Sequence, residues 1–379
     1  MKEYVQRLYF ILELSWVYLL MLIFHYLNLP VLAKLSTELI ACFFVAAGSM
    51  LSWKPRHLYL WDISGLFFSI VLLFYVDYYF LIAITISAWA ALSMGLGLSF
   101  ILSMAMAPST FDNRGRTAAF LALGVSLVLT LSLILHYVTL RTLHTYALTL
   151  LALKLLALTL LAEAAPLSIE YTRDYTVIRD KRPLATLFAS WLAFLIIDYI
   201  TAYSIEVFYG ASLVSFQRII GMSLGIVFFP MIGYLIDRHG RRPLVLVSYL
   251  IIGFEYALIS AYEGALMFYS IFESFSWCTL TLFFVFIVWS DVAPPETRTK
   301  LYVLGFIPVF LGRFVRSLFE FFGITLERYE LYPFASLFMF VIAVLIFFFT
   351  PETLPSSIIE RRRMINYIKR ARKIKERYG

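Results

Sequence analysis

The sequence predicts an all-α membrane protein of twelve transmembrane helices in two pseudo-symmetric six-helix bundles, and three observations predict it. Hydrophobic residues make up 62% of the 379 positions and charged residues only 15%, where a soluble globule carries about 25% charged residues. Twelve apolar runs, each close to the ~20 residues a helix needs to cross a bilayer, alternate with polar connections. Landmarks of the first half also return about 185 positions later, the mark of an internal repeat.

In chain order the runs lie at 6–27, 35–53, 58–76, 79–107, 116–138, 143–162, 184–206, 213–236, 243–262, 265–290, 299–324 and 331–350. The first carries Glu13 and Trp16 and is followed by no small-residue cleavage site, so it reads as a retained helix rather than a signal peptide. Short connections make successive helices antiparallel neighbours. The exception is 163–183, which carries Glu170, Arg173, Asp174, Arg179, Asp180, Lys181 and Arg182 and ends at Pro183, suited to a helix start. The division is therefore an N-terminal bundle at 1–162, a linker at 163–183, a C-terminal bundle at 184–350 and a tail at 351–379.

An even number of spans puts both termini on one side. Lys and Arg crowd the connections of that side, whereas the opposite connections hold only Lys34, Arg141 and Arg328. By the positive-inside rule both termini are cytoplasmic, in a multi-pass protein of the cell membrane.

The repeat is carried by particular residues. Gly48 and Arg56 answer Gly233 and Arg241, Ala107-Pro108 answers Ala293-Pro294, and Arg114 answers Arg298. The strongest motif is Gly233–Leu244, Gly-Tyr-Leu-Ile-Asp-Arg-His-Gly-Arg-Arg-Pro-Leu, between two spans. Asp237, Arg238, Arg241 and Arg242 each cost roughly 2.5–3.5 kcal/mol in hydrocarbon, so they fix a turn at the water interface. Gly233 lets helices approach closely, and Gly240 can take a turn geometry that a Cβ forbids.

This stretch resembles the Gly-x-x-x-Asp-Arg-x-Gly-Arg-Arg signature after helix 8 of the major facilitator superfamily of secondary transporters. Pro108-Ser-Thr-Phe-Asp-Asn-Arg114-Gly115 is similar to the family's start of helix 5, and Pro351-Glu352-Thr353 to the end of helix 12 in its sugar porters. Three features depart from the pattern. Ser52 stands where the first-half hinge usually has Asp, Trp89 precedes Gly95-x-Gly97 with no buried Arg, and helix 7 lacks the sugar porters' Gln-Gln-x-Ser-Gly.

The resemblance implies a fold nearest the sugar porter and metabolite–proton symporter branch, moving a small polar solute, sugar or organic anion, by alternating access with a proton as coupling ion. It also implies that Asp237 engages the start of helix 5, near Arg114 or Arg116, when the cytoplasmic side is closed. A drug or metabolite exporter of the same fold, or a non-transporting sensor or scaffold, is the alternative.

Charges inside spans are costly, so each needs a reason. Glu13 and Asp198 are separated by the repeat offset and should occupy equivalent places, where alternating exposure could load and release a proton; pairing within each half is the structural alternative. Arg313, Arg316 and Glu320 fall on one helical face, with Arg316 and Glu320 spaced to pair and Arg313 without a local partner. Arg313 could hold an anionic or hydroxyl-rich solute or bridge to another helix, and Arg218 could line an entrance. Trp89, Trp277, Glu273 and Cys278 are candidate cavity residues, while Lys154 and Glu255 suit a structural pair or snorkelling.

The five histidines lie in loops or at span ends, and Cys42 and Cys278 lie in apolar runs, so neither a metal site, a disulfide framework nor a cofactor is indicated. No nucleophile with a placed base and no phosphate-cradling loop appear, which argues against an enzyme. The tail combines Ser357-x-x-Glu360, a capping box, with an apolar stripe of Met364, Ile368, Ala371, Ile374 and Tyr378 backed by Lys and Arg. That pattern fits a helix on an anionic leaflet better than a nucleic-acid partner, with a simply solvated tail as the alternative. The protein is expected to act as a monomer.

Overall fold

A computed structural model describes residues 2–26, 30–51, 53, 55–74, 80–138, 143–164, 174–176 and 182–355, and positions 358, 360, 361, 364, 365, 367, 368, 371 and 376 of the tail. Ser52, most of the charged linker, and Ser357, Ile374 and Tyr378 of the tail lie outside the described residues. All regular structure among the described residues is helical. Val31–Met50, with 20 residues, is about 30 Å long, the thickness of the hydrocarbon core. Eleven helices are long and apolar enough to cross a membrane, and His57–Leu73 is a shorter apolar helix beside them.

In order the helices are α1 (Lys2–Tyr26), α2 (Val31–Met50), α3 (Pro55–Leu73), α4 (Phe80–Gly95), α5 (Leu98–Ala105), α6 (Arg114–Val138) and α7 (Leu143–Ala164). The second half has α8 (Arg182–Tyr209), α9 (Ala211–His239), α10 (Arg242–Ala261), α11 (Leu266–Thr281), α12 (Val288–Val292), α13 (Pro295–Phe322) and α14 (Arg328–Phe349).

Two spans are interrupted. The run at 79–107 breaks into α4 and α5 around Leu96 and Gly97, where a Cβ on Gly97 would come within 2.6 Å of the Trp61 ring. The run at 265–290 passes through a π-helical segment, Leu282–Ile287, between α11 and α12. Pro243 and Pro295 sit in the first turns of α10 and α13, where no amide donor is missed, whereas Pro230, Pro308 and Pro333 fall inside α9, α13 and α14.

Packing repeats as the sequence does. α1 on α7, α3 on α7 and α2 on α4 in the first bundle answer α8 on α14, α10 on α14 and α9 on α11 in the second. The bundles meet chiefly through α6 on α9 and α2 on α13, and exchanging the halves turns one of these contacts into the other. The surface is inverted relative to a soluble protein. Phe74, Leu131, Phe347, Phe348 and Phe349 are exposed, while Glu13, Asp62, Lys154, Arg114, Arg241 and Asp291 are buried, as expected when lipid surrounds a core that collects the charges.

Candidate functional site

A cavity of about 320 Å³ lies between the bundles, walled by α1, α2 and α6 on one side and α8, α9, α11 and α13 on the other. Of the residues singled out in the sequence, Asp198, Arg218, Trp277, Cys278, Glu273, Arg313, Arg316 and Glu320 line it; Glu13 and Trp89 do not. The size sits at the lower end for small-molecule pockets, about 300–1,000 Å³.

Asp198 sits midway along α8, where its Oδ1 accepts from Trp277 Nε1 at 3.2 Å and Tyr256 OH at 3.3 Å. Glu273 accepts from Tyr269 OH at 2.9 Å. Behind them Glu255 is 3% exposed, and no donor among the described residues reaches either of its carboxylate oxygens. The pairing of Lys154 with Glu255, open on the sequence, does not occur, because they lie in different bundles and Lys154 has nearer acids.

The α13 face is wired differently from the local pairing its spacing suggests. Arg316 meets Glu206 on α8 at 2.5 Å, and Glu320 takes Lys34 on α2 at 2.8 Å. Arg313 is not an unpaired guanidinium, since its Nε donates to Glu38 Oε1 at 2.7 Å and its Nη2 to the Met21 carbonyl at 3.0 Å. Helices α1, α2 and α8 bring these acceptors against α13 from other parts of the chain, so the i, i+4 partner is outcompeted.

Glu13 lies at mid-helix in α1 but turns into the first bundle rather than toward the cavity. Lys154 on α7 meets Glu13 Oε2 at 2.5 Å and Asp62 Oδ1 at 3.1 Å, all three with no solvent exposure. Tyr9 OH donates to Asp62 Oδ2 at 3.0 Å. The ammonium is held between the Trp16 and Trp61 rings at 4.5 and 4.2 Å, a desolvated cation–π arrangement. Trp89 donates its indole N–H to Ser64 Oγ at 3.1 Å and packs edge-on against Phe68, inside the same bundle.

The face bearing the termini is closed by contacts between the bundles. Asp237, near the end of α9, accepts from the backbone N–H groups of Gly115 at 2.8 Å and Arg116 at 3.0 Å, at the start of α6. That helix end offers orphan donors and a partial positive charge. The approach needs glycine on both helices, since a Cβ on Gly115 would come within 2.6 Å of the Gly233 carbonyl oxygen.

Deeper in, Asp291 bridges two fully buried guanidiniums, taking Arg114 Nη1 on Oδ1 at 2.5 Å and Arg241 on Oδ2, with Thr353 Oγ1 donating at 2.8 Å. Glu352 accepts from the Arg241 and Arg242 amides, at distances of 3.0–3.1 Å, and so caps α10. Gly240, at φ +99°, makes the turn that presents those amides. Arg238 and Arg242 stay at the surface, over the rings of Tyr234 and Phe347.

A family profile described as "Sugar (and other) transporter" matches residues 169–365, just over half of the chain. The chain belongs to the sugar (and other) transporter family. It is a secondary active transporter of the major facilitator superfamily, and the members of this family are not enzymes. Among solved structures, the transporter is similar to the proton:xylose symporter XylE bound to 6-bromo-6-deoxy-D-glucose, with 11% identity, a TM-score of 0.69, and 93% of this chain and 96% of that one covered. It is also similar to a bacterial homologue of the iron transporter ferroportin in an outward-facing state, at 13% identity and a TM-score of 0.65, covering 92% and 98%. A third is the human organic anion transporter MFSD10, at 14% identity and a TM-score of 0.57, covering 91% and 98%. At these identities the likeness is one of fold. No curated protein matches the sequence.

Several residues that organise the transporter's interior escaped the sequence reading. Asp62 and Glu38 sit inside apolar runs, where a charge is itself a signal. Asp291 sits one position beyond the run at 265–290, where it passes for a connection residue. Glu206 and Tyr256 carry no sequence mark of their roles, because their partners lie 110 and 58 positions away.

Proposed function

We propose that the transporter carries a small polar solute, a sugar or related metabolite, across the cell membrane in symport with protons, by rocking of the bundles 1–162 and 184–350. The observation that supports this most is a cavity walled by both bundles, largely apolar but faced by several charged side chains, and sealed toward the termini by the Asp237–Gly115 contact. The excess of Lys and Arg on that face makes it cytoplasmic, so the seal is a cytoplasmic gate and the cavity, which reaches Lys34 and Glu320, is the solute site nearer the outside.

The coupling proton belongs with Glu13, Asp62 and Lys154. Two carboxylates and one ammonium in a dry interior are electrically balanced only with one further proton, and an uncompensated charge there is strongly disfavoured. XylE is described as a proton:xylose symporter, which makes a pentose or hexose and a proton gradient the first pair to try. The tail, with Met364, Ile365, Tyr367 and Ile368 exposed and Arg361 paired to Asp112, lies on the anionic leaflet of a monomeric carrier.

The test is uptake of labelled xylose and glucose into vesicles holding the full chain, with and without an imposed proton gradient. Gradient-dependent uptake that a protonophore collapses is expected, with Glu13→Gln losing accumulation. Uptake indifferent to the gradient in both proteins removes the coupling, and solute binding without any flux favours a sensor over a carrier.

A further inference from the structure

We infer that the cavity selects a solute bearing a protonated amino group, seated with its ammonium against Asp198 and Glu273, in front of the buried Glu255. This deepens the carrier reading by naming the charge of its solute.

Lys34, Arg313 and Arg316 are each matched by an acid, Glu320, Glu38 and Glu206 respectively. Asp198 and Glu273 are not; the groups that donate to them are the neutral Trp277, Tyr256 and Tyr269. Glu255 stands within electrostatic reach of both and, buried at 3% exposure, receives no hydrogen bond among the described residues. Arg218, which also lines the cavity, is the cation within electrostatic reach of Asp198 and Glu273, so one guanidinium serves two acids with a third, Glu255, close behind. A buried carboxylate without a donor or a cation is costly.

The other bundle shows what balances such a group. Around Glu13 the acids Glu13 and Asp62 hold Lys154 between them. Moving from Lys154 by the offset that carries Glu13 to Asp198 leads to Met339, which is fully buried on α14, the helix packed against α8 and α10. At the offset positions the second bundle therefore keeps one acid, Asp198, and has Val247 in place of Asp62 and Met339 in place of the ammonium, while Glu255 and Glu273 are acids of its own. The walls supply the rest of a cation site. Trp191 and Trp277 lie edge to face with centroids 6.0 Å apart, and Tyr199, Tyr269 and Phe229 complete an aromatic lining of the kind that attracts cations to ring faces.

The experiment compares three probes of one ring size that differ in charge: D-glucosamine, D-glucose and D-glucuronate. Binding to the purified full-length transporter is measured by calorimetry at about pH 6, where the amine is protonated. Glucosamine is expected to bind at least about tenfold tighter than glucose, with glucuronate weakest, given the coupling energies of close charge pairs. The Asp198→Asn/Glu273→Gln protein should lose that preference, and so should Met339→Lys, which supplies the missing ammonium. Glu255→Gln serves as a milder variant should either misfold, and it should reduce the preference.

Glucose or glucuronate binding as tightly as glucosamine overturns the inference, as does the absence of binding by all three. Vesicle flux separates this from the carrier reading. Glucose carried without amine preference leaves the carrier standing and sinks the ammonium site, whereas tight glucosamine binding with no flux does the reverse.

Discussion

Asp237 and Asp291 join the two bundles at one face, yet they do so by different physics. Asp237 takes two backbone amides at the positive end of α6, while Arg116 beside it is 61% exposed at the side chain and adds little through screened charge. Asp237→Asn removes the charge and one acceptor, an expected loss of about 1–2 kcal/mol. That moves the population toward the state open at this face by roughly five- to thirtyfold. A single cysteine placed near Gly115 should then react faster with a reagent added from the side that bears the termini, and an unchanged rate would count against the gate. Asp291→Asn is harsher, because it leaves the buried Arg114 and Arg241 facing each other without an anion. It should cost about 3–5 kcal/mol, read as a lower unfolding temperature. Asp237 was visible in the sequence through its motif. Asp291 was not, because hydropathy ended its span one residue early and nothing local announces a partner 177 positions away.

Helix α9 crosses α6 on glycine, and the crossing is what the whole closed face depends on. Between spans the hydrophobic effect gives no net attraction, so close packing and hydrogen bonds hold the helices together. A side chain at Gly233 would collide with Ala119 and with the Gly115 carbonyl. Gly233→Leu is therefore expected to separate α6 from α9, pull Asp237 away from the Gly115 amide, and abolish flux while leaving both bundles folded. Retained flux at the wild-type rate would show that the contact is dispensable. All twelve apolar runs are expected to span; eleven recur as helices long and apolar enough to cross the bilayer, and the third as a shorter apolar helix. The break at Gly97 was not read as a break, since a glycine within a helical pattern is ambiguous until Trp61 is seen filling the space beside it.

For the whole molecule, the repeat is the governing fact, and the two inter-bundle contacts are exchanged by it. Rocking would part the bundles at one end of these contacts while bringing them together at the other. Lys34 and Glu320 join the bundles at the end opposite the gate, so holding them together should trap the carrier. In a Cys42→Ser, Cys278→Ala background, Lys34→Cys and Glu320→Cys bridged by a short bis-maleimide are expected to stop flux, with either single variant unaffected by the reagent. Flux that survives cross-linking would show that this end need not part.

The sequence by itself determined the number of spans, the duplication and the charged hinge, because bilayer thickness, the cost of charge in hydrocarbon and backbone freedom at glycine all act locally along the chain. Only the tertiary structure decided which charges neutralise one another: Glu13 with Lys154 and Asp62 inside one bundle, Arg313 with Glu38 between bundles, and Asp198, Glu273 and Glu255 without a lysine partner among the described residues. Ion pairing is set by distance in space in a medium of low dielectric, and partners separated by a hundred residues or more leave no mark on their own neighbourhoods.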